Sequence, residues 1–167
     1  MPTNAAQAEA QPNPPNARRD ALWRVISALC RFGLAAVWLV SGWLKITNPM
    51  ETVQSVRAYE LLSPDMAQLV GTALPPVELA LGVLLLGGIF LRAAAGASAA
   101  LLLVFIAGII SAWARGLSID CGCFGSGGAN PDVTGWTYMS EILRDLLFIA
   151  MAAWTVKWPF RRFARYP

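Results

Sequence analysis

Histidine is absent from the 167 residues. Without it the chain alone can run no Ser-His-Asp or Cys-His catalysis, and it offers no histidine-ligated haem, zinc or copper site. Charge is scarce as well: 14% of residues are Asp, Glu, Lys or Arg, against about 25% in an ordinary soluble domain. The charges bunch in the N-terminal arm, the last ten residues and short connecting segments. A net charge of +3 does not argue for a nucleic-acid partner, because the arginines flank apolar runs instead of gathering in one basic patch. Cysteine occurs only three times, yet two of the three stand one residue apart.

What is present is hydrophobicity, at 56% of the chain. Four runs reach the roughly 20 residues that a bilayer demands, at about 22–44, 67–90, 93–114 and 138–158. The expected fold class is an all-α integral membrane protein, a four-transmembrane-helix bundle. Residues 1–20, rich in Ala, Pro, Asn and Gln, read as a disordered cytoplasmic tail. Residues 21–160 form the membrane domain and 161–167 a basic cytoplasmic tail. The first apolar run follows Arg18 and Arg19 and is too long for the core of a cleavable signal, so it is expected to be a retained helix. Arg24 and Arg31, in its opening turns, are expected to snorkel to headgroups. Only Leu91 and Arg92 separate the second and third runs, which predicts a tight antiparallel hairpin.

Orientation follows from the positive-inside rule. With both termini in the cytoplasm, that side carries Arg18, Arg19, Arg24, Arg31, Arg92, Lys157, Arg161, Arg162 and Arg165, and the outside keeps Lys45, Arg57 and Arg115. The expected location is a bacterial plasma membrane, multi-pass, N-in and C-in. Two longer loops then face outward. In the first, Val53, Val56 and Tyr59 recur at three-residue steps, as in a short amphipathic helix on the membrane surface. The second holds "DCGCFG", on a side where disulfides persist.

Cys121, Gly122 and Cys123 admit three chemistries: a redox switch, a metal grip and a structural or unpaired role. Two Cα atoms two residues apart reach about 7 Å when extended, whereas a disulfide takes about 4.4–6.8 Å. A bridge therefore needs a bent backbone, which Gly122 permits. Such a bridge closes almost no chain and stabilises little, while strained, exposed disulfides are oxidising and labile. A closed zinc site wants four ligands, and beyond the two thiols only Asp120 and Asp132 are near in sequence. No metal ligands are assigned, although a copper(I) pair or a site shared with another chain stays open. Cys30 reads as a small filler within the first span.

Ionisable groups inside the apolar runs are candidates for function. Glu78 follows Pro75 and Pro76, where the helix either kinks or restarts. Glu141, Arg144 and Asp145 fall at i, i+3 and i+4 on one face of the fourth span, roughly 5–10 Å deep at 1.5 Å per residue. Arg144 has several prospective partners: Glu78, a cysteine thiolate, or its helical neighbours Glu141 and Asp145. Lys45 sits just past the first span. Trp38, Trp43, Trp113, Trp136, Trp154 and Trp158 read as interfacial belts, with a quinone pocket as the alternative. Gly82, Gly87, Gly88, Gly96 and Gly108 read as close helix contacts.

The combination of "SGWLKITNP", "YELLSP", "LPPVELALGVLLLGG", "DCGCFG" and "LRDLLF" resembles the methylamine-utilisation MauE family, within the wider DoxX-like group of four-helix membrane proteins, over about Leu22 to Trp158. The resemblance implies a role in maturation of methylamine dehydrogenase, by disulfide formation or electron transfer outside the membrane, beside a thioredoxin-like partner. It maps the family's Cys-Gly-Cys onto Cys121, Gly122 and Cys123, its span-two glutamate onto Glu78 and its last-span arginine onto Arg144. The leading expectation is thus a thiol–disulfide redox protein whose partners are the lipid bilayer, an extracytoplasmic thioredoxin-like protein and subunits of a redox enzyme. A quinone is the candidate cofactor, contacting Arg144, Glu78 and Lys45. A non-catalytic membrane anchor or assembly subunit is the alternative, and a small transporter or metal handler comes third.

Overall fold

A computed structural model describes residues 17–122 and 127–160. Five helices follow in order: α1 (Ala17–Thr47), α2 (Pro49–Ala58), α3 (Pro64–Gly87), α4 (Leu91–Ala114) and α5 (Gly135–Lys157). A two-residue hairpin, β1 (Ile119–Asp120) with β2 (Gly128–Ala129), lies between α4 and α5. Among the described residues α1, α3 and α4 are long and apolar enough to cross a membrane. At 1.5 Å per residue, α5 with its 23 residues extends about 35 Å, but Glu141, Arg144 and Asp145 dilute its apolar character. The chain is a multi-pass, all-α membrane protein.

Packing pairs α1 with α3 and α4 with α5, and α1 also touches α5. The buried residues of α1 include Ser27, Arg31, Leu34, Ala35, Trp38, Ser41 and Lys45. Their spacing of three and four residues defines one helical stripe. Its middle is apolar and its two ends are polar. Leu34, Ala35 and Trp38 meet Leu81, Leu85, Leu91, Ala94, Ala95, Leu102 and Ala152 in the core. Trp38 is therefore no interfacial anchor. It is 1% exposed and its Nε1 donates to Ser98 Oγ at 2.9 Å, which satisfies the indole's polar edge inside the bundle. Trp43 and Trp136 do face outward, while Trp23, Trp154 and Trp158 cluster, Trp23 stacked on Trp154 and Trp158 tilted against both.

α1 and α3 meet backbone to backbone. A Cβ on Gly42 would lie 3.0 Å from the Pro75 carbonyl oxygen, and one on Gly82 would strike the Leu39 side chain. Gly82 thus is the close contact expected of it; Gly96 has nothing near, and Gly108 rests on the Tyr59 ring. α3 runs unbroken through Pro75 and Pro76, so of the two alternatives at the prolines the restart does not occur. The α3–α4 reversal differs from its expected position. It falls at Gly88–Phe90, with Gly88 and Phe90 left-handed at φ 69° and 49°, and Leu91 and Arg92 already belong to α4. Gly88 adopts this conformation at no steric cost, and Leu91 turns inward to full burial.

Arg31 also departs from expectation. It is 0% exposed and does not snorkel. Its guanidinium donates to Leu85 O at 2.8 Å, Leu86 O at 2.9 Å and Phe160 O at 2.8 Å. The end of α3 leaves carbonyls without helical partners, and the cation answers them where the helix dipole is negative. Arg24 stays exposed and bonds only to Asp20 O of its own helix.

Candidate functional site

The opposite end of the bundle is built from short pieces. Pro49 stops α1 because it cannot supply the next helical N–H, and α2 starts after the single residue Asn48. The helix expected around Val53, Val56 and Tyr59 is present, but its buried residues are Thr52 and Ser55. They face protein. Thr52 Oγ1 donates to Lys45 O at 3.2 Å and to Asn48 O at 3.1 Å, and Val53 packs so closely on α3 that only glycine fits at position 71. Small residues on α2 allow the cysteine loop to approach.

The base of that loop is pinned twice. β1 and β2 pair Ile119 with Ala129 and Asp120 with Gly128, and Asn130 Nδ2 donates to Asp120 Oδ2 at 2.7 Å. Tyr138, buried in the first turn of α5, donates to Leu117 O at 2.5 Å and accepts from Ile119 N at 3.1 Å. Gly122 has φ 68°, and a Cβ there would lie 2.8 Å from Ser55 Oγ. Glycine is required by both the conformation and the contact. Cys123 lies outside the described residues.

Cys121 is half-buried beside Arg144, Glu141 and Tyr59. Arg144 Nη2 lies 3.5 Å from its Sγ. The Glu141 carboxyl hydrogen-bonds with both its side chain and its backbone. Tyr59 OH donates to its carbonyl oxygen at 3.4 Å, and the Tyr59 carbonyl itself accepts from Arg115. Arg144 is also paired with Asp145, Nη2 to Oδ1 at 3.0 Å. Asp145 is 1% exposed, yet its Oδ2 and Glu141 Oε2 are buried with no hydrogen-bond partner among the described residues. Buried acceptors left in that state are uncommon in structural cores.

Glu78 does not meet Arg144. Its partner is Lys45, Nζ to Oε1 at 2.5 Å, with Ser41 Oγ donating to Oε2 at 3.1 Å. Both members of the pair are buried. Lys45 lies 5.3 Å from the Phe105 ring centre and close enough to Asp145 to act on it electrostatically. The two ionic groups are therefore neighbours joined through Lys45. A cavity of about 300 Å³ opens beside them between α2, α3 and α4, and Lys45, Tyr59, Phe105 and Cys121 form part of its wall.

Of the residues singled out from sequence, Cys121, Gly122 and Arg144 come together, and Glu78 with Lys45 forms the adjoining pair. Glu141, Asp145, Tyr59, Ser55 and Ser41 join them without having been assigned to the site. A signal existed for Ser41, four residues before Lys45 on the same helical stripe. None existed for Ser55, whose role depends on a glycine far away in sequence.

Fold and site together define a helical multi-pass membrane protein with a cysteine loop clasped over one end of its bundle. The family described as "Methylamine utilisation protein MauE" matches residues 23–157. A similar protein is the methylamine utilization protein MauE of Paracoccus denitrificans, 37% identical over 124 residues, which cover 73% of this chain and 63% of that protein. No solved structure matches the chain. The chain belongs to the MauE family, which is involved in methylamine utilisation. It spans under two thirds of the length of that relative.

Proposed function

We propose that this protein is a membrane thiol–disulfide redox protein acting in the maturation of a redox enzyme such as methylamine dehydrogenase. In this reading α5 is a fourth crossing, both termini are cytoplasmic, and the Cys121–Gly122–Cys123 loop faces the extracytoplasmic space. The arginine-rich termini and Arg92, in the first turn of α4, support that orientation. The observation that carries the reading is the Arg144 guanidinium 3.5 Å from Cys121 Sγ. A cation at that distance favours the thiolate, the nucleophilic form of cysteine.

Exchange proceeds through sulfur alone. A thiolate of a thioredoxin-like partner attacks one sulfur of the Cys121–Cys123 disulfide, and the other sulfur leaves as a thiolate. The second partner thiol, deprotonated, then displaces the bridging cysteine. The partner gains a disulfide, the pair becomes a dithiol, and two electrons have moved. Arg144 stabilises the Cys121 sulfur as it leaves, and Glu141 is placed to take or return its proton. The test is thiol trapping in native membranes with Cys30→Ser as background. A pair that is oxidised at rest, reduced by mild dithiol, and captures a partner as a mixed disulfide in Cys123→Ser supports the reading. A pair that stays reduced and unreactive sinks it.

A further inference from the structure

The cavity beside Cys121 is not needed for exchange with a soluble partner, and its chemistry differs from that of a water-facing cleft. It measures about 300 Å³, the lower end of the range for small-molecule sites. Its walls are apolar, with Leu74 from α3 and Leu101 and Phe105 from α4. At its rim are Val70 and Val104, 37% and 65% exposed on helices of membrane-crossing length and apolarity. An opening between two such helices leads to lipid. Cys121 and the buried Lys45 also line it, so a thiol-bearing residue and an ammonium-bearing residue share one cavity.

We infer that this cavity receives the ring of a lipid-soluble quinone, which reoxidises the Cys121–Cys123 dithiol. The inference rests on the redox reading of the pair. Closing a dithiol to a disulfide releases two electrons and two protons, so the acceptor must take both. A quinone does so in full balance: two S–H bonds break, one S–S bond forms, and the two ring carbonyls become the hydroxyls of a quinol. Its ring is flat and apolar, its tail stays in the bilayer, and its polar atoms are carbonyl oxygens that need donors. Lys45 carries three N–H donors, one of them committed to Glu78 Oε1, and its charge is steadied by Glu78 and the Phe105 face. It is therefore a positioning cation for a ring carbonyl. Electron flow then has a direction: the partner is oxidised and the membrane pool is reduced.

The experiment uses the full chain, Cys30→Ser, in lipid nanodiscs, reduced with dithiothreitol and freed of it. Decylubiquinone is added and its reduction followed by absorbance, and an azido-quinone photolabel is mapped in parallel. The expected result is one quinone reduced per pair, with label on α3 and α4 around the cavity. Val104→Trp and Val70→Trp fill the cavity from opposite walls at exposed positions. Each should slow quinone reduction about tenfold or more, equal to about 1.4 kcal/mol of barrier, and remove the label. Mixed-disulfide capture by Cys123→Ser should persist in both. Capture without quinone reduction, or reduction that neither tryptophan affects, overturns the inference and leaves the exchange reading standing. A pair inert to disulfide reagents and to decylubiquinone alike overturns both.

Discussion

Two arginines stand at opposite ends of the bundle, Arg31 fully buried and Arg144 partly exposed, and they are used differently. Arg31 reaches three backbone carbonyls within 2.9 Å and ties α3 to Phe160, just past α5. Arg144 is shared between Asp145 and a cysteine sulfur, in a group where two carboxylate oxygens lack partners among the described residues. A matched buried charge fixes geometry, whereas an incompletely matched cluster is poised to change its protons or contacts. Arg31 thus holds the fold, whereas Arg144 is the one to which the proposed redox reading gives a chemical part.

The largest expected effect lies at the Lys45–Glu78 ion pair beside the cysteine end. Glu78→Leu leaves Lys45 buried without its carboxylate and should cost about 3–5 kcal/mol. Lys45→Met combined with Glu78→Leu should cost less than the single change, because no lone charge remains; denaturation in detergent measures both. Arg31→Leu should destabilise by about 3 kcal/mol, at roughly 1–3 kcal/mol for each buried carbonyl left unpaired, while the alkylation rate of Cys121 stays unchanged. Arg144→Gln should do the reverse, slowing alkylation of Cys121 about tenfold at neutral pH, the lower end of what a neighbouring charge exerts, with little loss of stability. Arg144→Lys should restore part of that rate. If Arg31→Leu alters thiol reactivity as strongly as Arg144→Gln, the division between the two ends fails. Smallest is Trp38→Phe, which removes the indole bond to Ser98 and should cost about 1 kcal/mol.

Much of this was legible in the chain. Long apolar runs announced the helices, and the i, i+3, i+4 spacing of Glu141, Arg144 and Asp145 announced a shared face beside the cysteine loop. What periodicity could not supply was partner identity. Arg31 and Arg24 look alike in sequence, and only the arrival of the end of α3 beside one of them makes it a cap. Glu78 and Arg144 looked like natural partners, but Lys45 lies on the stripe of α1 that packs against α3. The valines of α2 suggested a lipid-facing helix, yet Thr52 and Ser55 are the buried residues, because two glycines of other segments, Gly71 and Gly122, approach α2 at van der Waals distance. Contacts between small residues leave no hydrophobic signature.

The stacked tryptophans supply an optical handle. Trp23 lies 5.0 Å from Trp154 and 5.3 Å from Trp158, which are 4.6 Å from each other. Indoles this close couple their electronic transitions, so the trio should give a bisignate circular-dichroism band that a lone tryptophan such as Trp38 does not. Because Trp23 belongs to α1 and the other two to the end of α5, parting those helices removes the Trp23 contribution and leaves only that of the Trp154–Trp158 pair. It reports on the arginine-capped end alone, and so the two ends of the molecule are observable at once: one by its colour in polarised light, the other by the reactivity of its sulfur.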